Sequence, residues 1–182
     1  KNSRVYIDTI ISPSYTSALA QVIQLSGISG KGNNLILFEY KSTQTEELHK
    51  IIDNFQLLKA TEFDVCILRK SFRKFGSKKS IHIWISPQDF ENSNLMILLG
   101  YILLGHPEWN KAEIKIFSVF KGENSDEEKK KLVRLINEGR LPISPSNIQL
   151  IPNDENSRIR KIINKKSIDA DFTIIGYKSE LL

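Results

Sequence analysis

The sequence predicts an α/β fold built on largely parallel sheets. Apolar runs of five to eight residues recur between longer amphipathic segments along the 182-residue chain, which is the alternation of strands and helices typical of this class. Two of these runs, at residues 35–38 and 172–175, are almost continuously apolar, as expected when helices cover both faces of a sheet. A strand, an apolar helix and another strand follow one another at residues 81–85, 95–104 and 113–120, which predicts a parallel βαβ unit.

Turn residues and helix caps place the elements in order. Strands are predicted near residues 4–11, 34–40, 64–69, 80–86, 113–120, 147–151 and 171–177, with helices in most of the intervals. The first helix spans about 14–26, with Ser12 or Ser14 as its N-cap and Gly27 at its end. The second spans about 45–59, because its apolar residues repeat at the spacing of one helical face.

Two amphipathic helices are predicted in the last third of the chain. Ser125 and the acidic residues after it predict a helix start, and Gly139 is placed to end that helix. A final helix at about 157–166 has isoleucines on one face and arginines and lysines on the other. The basic face of this helix is most simply explained by contact with solvent.

The helix at residues 95–104 is apolar on every side. At ten residues it falls short of the roughly 18 needed to cross a bilayer. We therefore expect it to be buried between the sheet and other packed elements, so that an aspartate at Leu98 would unfold its lobe. The residues predicted to form this buried structural helix are Leu95, Leu98, Leu99 and Ile102.

One segment, residues 71–79, joins two predicted strands without an intervening helix. It is charged and contains Gly76, so it is the best candidate for a boundary between two lobes. The sequence therefore predicts a first lobe at 1–70, this connection, and a second lobe at 80–182. The two doubly wound lobes together would form one domain.

The net charge is +5, and much of the excess is concentrated in and around the connection. A solvated linker is one explanation of such a run. Contact with anionic lipid headgroups is another, whereas nucleic-acid binding is disfavoured because no known recognition motif accompanies the charges. The residues of this candidate membrane-surface contact are Arg69, Lys70, Arg73, Lys74, Lys78 and Lys79.

No constellation of catalytic, metal-binding or cofactor-binding residues emerges from the sequence. The glycines at 27, 30 and 32 follow a predicted helix rather than a strand, so they do not form a phosphate-binding turn. His49, His82 and His106 lack the short spacing of metal ligands. The single cysteine, Cys66, lies in an apolar run and is predicted to be a small buried residue. We therefore predict no enzyme activity, no metal and no cofactor.

Three stretches, in this order, resemble the cytosolic C-terminal domain of the cation-chloride cotransporter family. The first is residues 24–37, a glycine-containing turn that leads through two asparagines into an apolar strand. The second and strongest runs from the strand at 79–84 through the apolar helix to 109–117. The third is residues 169–175, which are similar to a strand near the C-terminal end of the family domain. The short loop after Pro152 is typical of a compact, prokaryotic member.

This resemblance implies two lobes related to the universal stress protein fold, and a non-catalytic role. The domain would regulate and dimerise a secondary transporter of sodium, potassium and chloride at the cytoplasmic face of the cell membrane. Its partners would be the transporter's own transmembrane domain and a second copy of itself, with an anionic lipid surface as a further candidate and no nucleic acid.

Two alternatives remain at this point. One is a universal-stress-protein-like nucleotide-binding module, and the other is a catalytic α/β domain. The chain begins at Lys1 rather than at a methionine, which predicts that it is an excerpt from a longer protein. About a dozen apolar segments of roughly 20 residues upstream of Lys1 would favour the transporter interpretation.

Overall fold

A computed structural model describes residues 7, 9–27, 30, 32–120, 125–138, 144–152 and 159–177. The chain divides into a first compact unit, Lys1–Phe72 together with Leu182, and a second unit, Arg73–Leu181. In both units the described strands pair in parallel, which confirms the predicted α/β class.

The first unit contains two described strands and three helices. Strand β1 (Leu35–Lys41) pairs with β2 (Asp64–Lys70) in a parallel register that runs from Leu35 opposite Asp64 to Lys41 opposite Lys70. Helix α1 (Tyr15–Val22) precedes this pair, and helices α2 (Thr45–Asp53) and α3 (Phe55–Ala60) connect the two strands. The buried apolar side chains of this unit are Leu19, Ile51 and Leu58.

Local hydrogen bonds explain where these helices begin and end. Of the two predicted caps, Ser12 and Ser14, it is Ser14 that caps α1, because its hydroxyl accepts a hydrogen bond from the Ser17 amide at 3.1 Å. The helix ends at Val22 rather than near Gly27, since the following turns close through shorter i to i+3 bonds from Gln24 and Leu25. The helix predicted over 45–59 is interrupted at Asn54, whose buried side-chain amide donates to the Lys50 carbonyl at 2.8 Å.

The strand predicted at residues 4–11 is not found in the described part of that range. Residues 7 and 9–11 belong to no strand, and the side chains of Ile7 and Ile11 are 86% and 94% exposed. Residues 4–6 and 8 lie outside the described residues. The apolar residues of this segment alternate as in a strand, but no strand among the residues described pairs with it.

The second unit is a doubly wound parallel sheet of four described strands. These are β3 (Ser80–Trp84), β4 (Glu113–Phe120), β5 (Ile148–Pro152) and β6 (Phe172–Ile175), in the order β5-β4-β3-β6. Helices α4 (Ser93–Leu104), α5 (Ser125–Glu138) and α6 (Ile159–Lys166) provide the crossovers. Because β6 returns to the opposite side of β3, the topology reverses direction at β3.

Two apolar clusters follow from this winding. The first holds Met96 and Ile97 of α4 and Leu132 of α5 against isoleucines of β3 and β4. The second is formed by Trp84, Phe117 and Val119, with isoleucines of α6 packed against it. Helices therefore cover both faces of the sheet at β3 and β4. The two runs that predicted such cover are exposed in part, since Leu37 of β1 and Ile175 of β6 are 61% and 55% exposed.

Helix α4 is buried on one face only, which corrects the prediction that it is enclosed on all sides. Met96, Ile97 and Gly100 are buried, and a Cβ added at Gly100 would lie 3.1 Å from Ile83 Cδ1. Leu98 and Ile102 are 50% and 61% exposed. The physical reason is the helical period. Residues spaced three and four positions apart lie on the face that packs on the sheet, and residues on the opposite side of the helix point away from it. The other two residues of the prediction, Leu95 and Leu99, are half-buried.

Candidate functional site

The connection between the units is anchored to the second unit by a buried carboxylate. Asp171, which directly precedes β6, accepts hydrogen bonds from the Ser77 amide at 2.9 Å and the Lys79 amide at 2.8 Å. The Ser77 hydroxyl and the Ser80 amide donate to the same carboxylate at 3.0 and 3.1 Å. Burial opposes ionisation, but these hydrogen bonds outweigh it and hold the pKa of Asp171 below its usual range.

Backbone and aromatic contacts reinforce this anchor. Gly76 has φ +50°, and a Cβ there would overlap with the Asp171 carboxylate, so glycine is required on two grounds. The ring of Phe75 lies 6.0 Å from those of both Trp109 and Phe172. The segment predicted as a linker is therefore packed against the second unit from Phe75 to Lys79.

The six basic residues predicted to contact a membrane surface are divided between the two units. Arg69 and Lys70 lie on β2 of the first unit, and the Lys70 ammonium pairs with Glu39 at 2.8 Å. The other four belong to the second unit, where Lys78 pairs with Glu108. Arg73 donates from Nη1 to the Ile168 carbonyl at 2.6 Å. Lys74 and Lys79 are exposed and form no ion pair with any residue described.

A second buried carboxylate, that of Asp89, lies beyond the carboxyl end of β3, where the topology reverses. Asp89, 8% exposed, accepts from the Ser86 amide at 3.0 Å and from the Ser86 hydroxyl at 2.5 Å. A Cβ added to Gly176, just after β6, would overlap with this carboxylate. Ligands of doubly wound folds commonly bind in this crevice. Here the protein's own carboxylate, that of Asp89, lies at this position, and a carboxylate is an unfavourable neighbour for a phosphate group.

His82 lies in a packed polar and aromatic cluster beneath α6. Its Nδ1 and the Trp84 Nε1 each lie 2.9 Å from the Ser167 hydroxyl oxygen. The Phe117 ring stacks on Trp84 at 4.7 Å and lies 4.8 Å from the His82 ring. Burial, aided by the charge of Lys115, lowers the pKa of His82. These contacts assign His82 a packing role.

The remaining candidates for catalysis or metal binding are two histidines and the single cysteine. His49 and His106 are exposed, and no group of three or more metal-ligating side chains is found among the residues described. Cys66 is half-buried on β2, where burial and the neighbouring Asp64 raise the pKa of its thiol. No helix within the described ranges has the length and apolarity to cross a membrane.

Sequence reasoning missed the two carboxylates and the hydroxyl that organise this unit. Ser167 lies in a turn, Asp171 lies in a bend, and Asp89 ends a three-residue 3-10 helix, Pro87–Asp89. Polar residues in such connections are usually solvated. A signal for Asp171 was available, because it stands directly before an apolar strand. The four donors that surround it come from a segment more than ninety positions away, so no local pattern could have identified them.

Comparison with known proteins finds similarity among solved structures. No protein family model matches the chain, and no curated protein sequence matches it. Among solved structures, the chain is similar to one described as the crystal structure of the cytoplasmic domain of a prokaryotic cation chloride cotransporter. The match covers 90% of this chain and 60% of that chain, with a TM-score of 0.58 and 15% sequence identity. The two share a fold, and this chain corresponds to 60% of the length of that domain.

Proposed function

We propose that this chain is a cytosolic domain of a cation-chloride cotransporter, a secondary transporter that couples the movement of sodium or potassium to that of chloride. The observation that carries the proposal is the fold shared with the cytoplasmic domain of such a transporter over 90% of the chain. The three stretches that resemble the family include the start of β1, the β3-α4-β4 unit and β6. In this proposal the chain works at the cytoplasmic face of a membrane, attached to its own transmembrane domain.

The domain's role in this proposal is regulation and dimerisation rather than catalysis. At the carboxyl end of β3, where the topology reverses and α/β modules commonly bind their ligands, the Asp89 carboxylate accepts from the Ser86 amide and lies against Gly176. This geometry argues against the alternative of a universal-stress-protein-like nucleotide module. Regulation would then act through contacts between protein surfaces.

The outer face of α4 is the surface we propose for dimerisation. The helix has no charged residue between Ser93 and Leu104, and Leu98 and Ile102 on its outer face are 50% and 61% exposed. An uncharged apolar face suits a second copy of itself, because a two-fold interface brings the same residues together without opposing like charges. The half-buried Leu95 and Leu99 lie beside this face and would extend the contact.

Sedimentation equilibrium of the chain at rising concentration tests this interface. We expect a dimer to appear by about 0.5 mM, since a domain without its membrane anchor loses the effective concentration that the anchor supplies. The double variant Leu98→Asp/Ile102→Asp should remain monomeric, because dimerisation would bury its carboxylates.

A matched control separates a specific interface from general loss of apolar surface. Ile168 and Ile175 are 68% and 55% exposed elsewhere on the second unit, so Ile168→Asp/Ile175→Asp should dimerise like the wild type. A strictly monomeric wild type, or equal weakening by both double variants, would contradict dimerisation through α4.

A further inference from the structure

An exposed apolar residue stands among cations where α6 ends and β6 begins. Lys165 and Lys166 form the last turn of α6. The chain then makes a tight turn, closed by the Ala170 amide donating to the Ser167 carbonyl at 3.2 Å. Ile168 lies in the middle of this turn and is 68% exposed. A large aliphatic side chain at an exposed turn contributes little to packing, because most of its surface stays in contact with water.

The connection adds two cations to the same place. Arg73 donates from Nη1 to the Ile168 carbonyl at 2.6 Å, which fixes the connection against the turn. Lys74 follows directly and is exposed, with φ +54°. The hydrogen bonds of Asp171 hold the connection and the start of β6 together just beyond this contact. A hydrogen bond thus holds Arg73 at the turn that carries Ile168, and Lys74 follows Arg73 directly along the chain.

The charge of this surface is positive. We define the α6-turn surface as Arg73, Lys74, Lys165, Lys166 and Ile168, together with Asp169 beside Ile168 in the turn. This set of residues therefore contains four cationic side chains and one exposed carboxylate. The nearby Asp171 carboxylate is buried and already accepts four hydrogen bonds. The surface combines a net positive charge with a projecting aliphatic side chain.

We propose that the α6-turn surface binds an anionic lipid bilayer. Lysine and arginine are attracted to the negative surface potential of anionic lipids, and an aliphatic side chain between them can enter the headgroup region. Nucleic acid suits the surface less well, because the projecting side chain offers neither stacking nor hydrogen bonding to a base. The proposal rests on the proposed function only in requiring a membrane nearby. It assigns lipid binding to the α6-turn surface rather than to the whole run of basic residues in and around the connection.

Co-sedimentation with lipid vesicles tests the proposal on the chain itself. We expect binding to phosphatidylcholine vesicles that contain about 30% phosphatidylserine at about 0.1 M salt, and little binding to phosphatidylcholine alone. Lys165→Ala/Lys166→Ala should weaken the partition constant roughly fivefold for each lysine, or about 25-fold together. The matched control is Lys50→Ala/Lys59→Ala, two exposed lysines in the last turns of α2 and α3, which should bind like the wild type.

Fluorescence at the turn gives an independent readout. Both native tryptophans are buried, at 4% and 5% exposure, so the emission of an Ile168→Trp variant can be separated from theirs. Its emission should shift to shorter wavelength with phosphatidylserine vesicles and remain unchanged with phosphatidylcholine.

Several outcomes would overturn the proposal. Equal binding to both vesicle types would do so, as would equal weakening by the two lysine pairs, since the charge effect would then be general. Tight binding of single-stranded RNA that is lost in Lys165→Ala/Lys166→Ala, without vesicle binding, would reassign the surface to nucleic acid. None of these results depends on whether the parent protein transports ions, so the proposed function stands or falls separately.

Discussion

Ile97→Asp is expected to unfold the second unit, whereas Leu98→Asp, one residue along the same helix, should leave it folded. Ile97 is fully buried against the sheet, while Leu98 is 50% exposed. An unpaired carboxylate at Ile97 would cost several kcal/mol, in addition to about 2 kcal/mol of lost apolar burial. Domains of this size are stable by about 5–15 kcal/mol, so the first variant loses most or all of its stability.

Urea unfolding followed by tryptophan fluorescence measures this contrast. Trp84 and Trp109 both belong to the second unit and are buried, so their emission reports on that unit. We expect no cooperative transition for Ile97→Asp and a midpoint close to the wild type for Leu98→Asp. If Leu98→Asp were as unstable as Ile97→Asp, the helix would be enclosed on all sides, as its composition alone suggested.

Asp171→Ala should destabilise the second unit by about 3–5 kcal/mol. The substitution removes four hydrogen bonds to one carboxylate and leaves the amides of Ser77, Lys79 and Ser80 without this acceptor. Hydrogen bonds to a charged group each contribute about 1.5–3 kcal/mol, and an unsatisfied buried donor carries its own penalty. The control, Asp169→Ala, removes an exposed carboxylate two residues earlier and should change stability by less than about 0.5 kcal/mol.

The pH dependence of this difference follows from the lowered pKa of Asp171. The unfolded chain binds a proton at this carboxylate near pH 4, and the folded chain does so only at lower pH. The stabilisation is therefore complete above about pH 4 and is lost as the pH falls through the folded pKa. Urea midpoints of wild type and Asp171→Ala should converge in that acidic range. A constant gap down to pH 2, or no gap at neutral pH, would mean that the carboxylate does not anchor the connection.

Elements with a strong local pattern could be predicted from the sequence alone. β4 is found at the predicted residues 113–120, and β1, β2, β5 and β6 lie within a few residues of their predicted bounds. Runs of β-branched and aromatic residues bounded by turns are sufficient for this, even in β1 and β6, where exposed residues alternate with partly buried ones. The Ser14 cap was also predictable, because it depends on one side chain and the next turn of backbone.

Features that depend on distant contacts were not predictable. The burial of α4 is decided by where the sheet lies, and an all-apolar helix carries no polar face to mark its exposed side. The break at Asn54 arises because a side-chain amide competes for a helical carbonyl within a segment of otherwise regular periodicity. The anchoring carboxylates require partners that only the fold brings together.

Ion flux through the whole protein that carries this chain tests the central claim most directly. The protein would be reconstituted in vesicles, and uptake of radioactive rubidium, a substitute for potassium, would be measured with chloride and after its replacement by gluconate. We expect uptake that requires chloride, and a marked change in that uptake in the Leu98→Asp/Ile102→Asp variant. The control is Ile175→Asp, because Ile175 is 55% exposed and lies outside both proposed surfaces. Cation uptake that is unchanged without chloride would contradict a cation-chloride cotransporter, and full activity of the α4 variant would contradict a regulatory dimer.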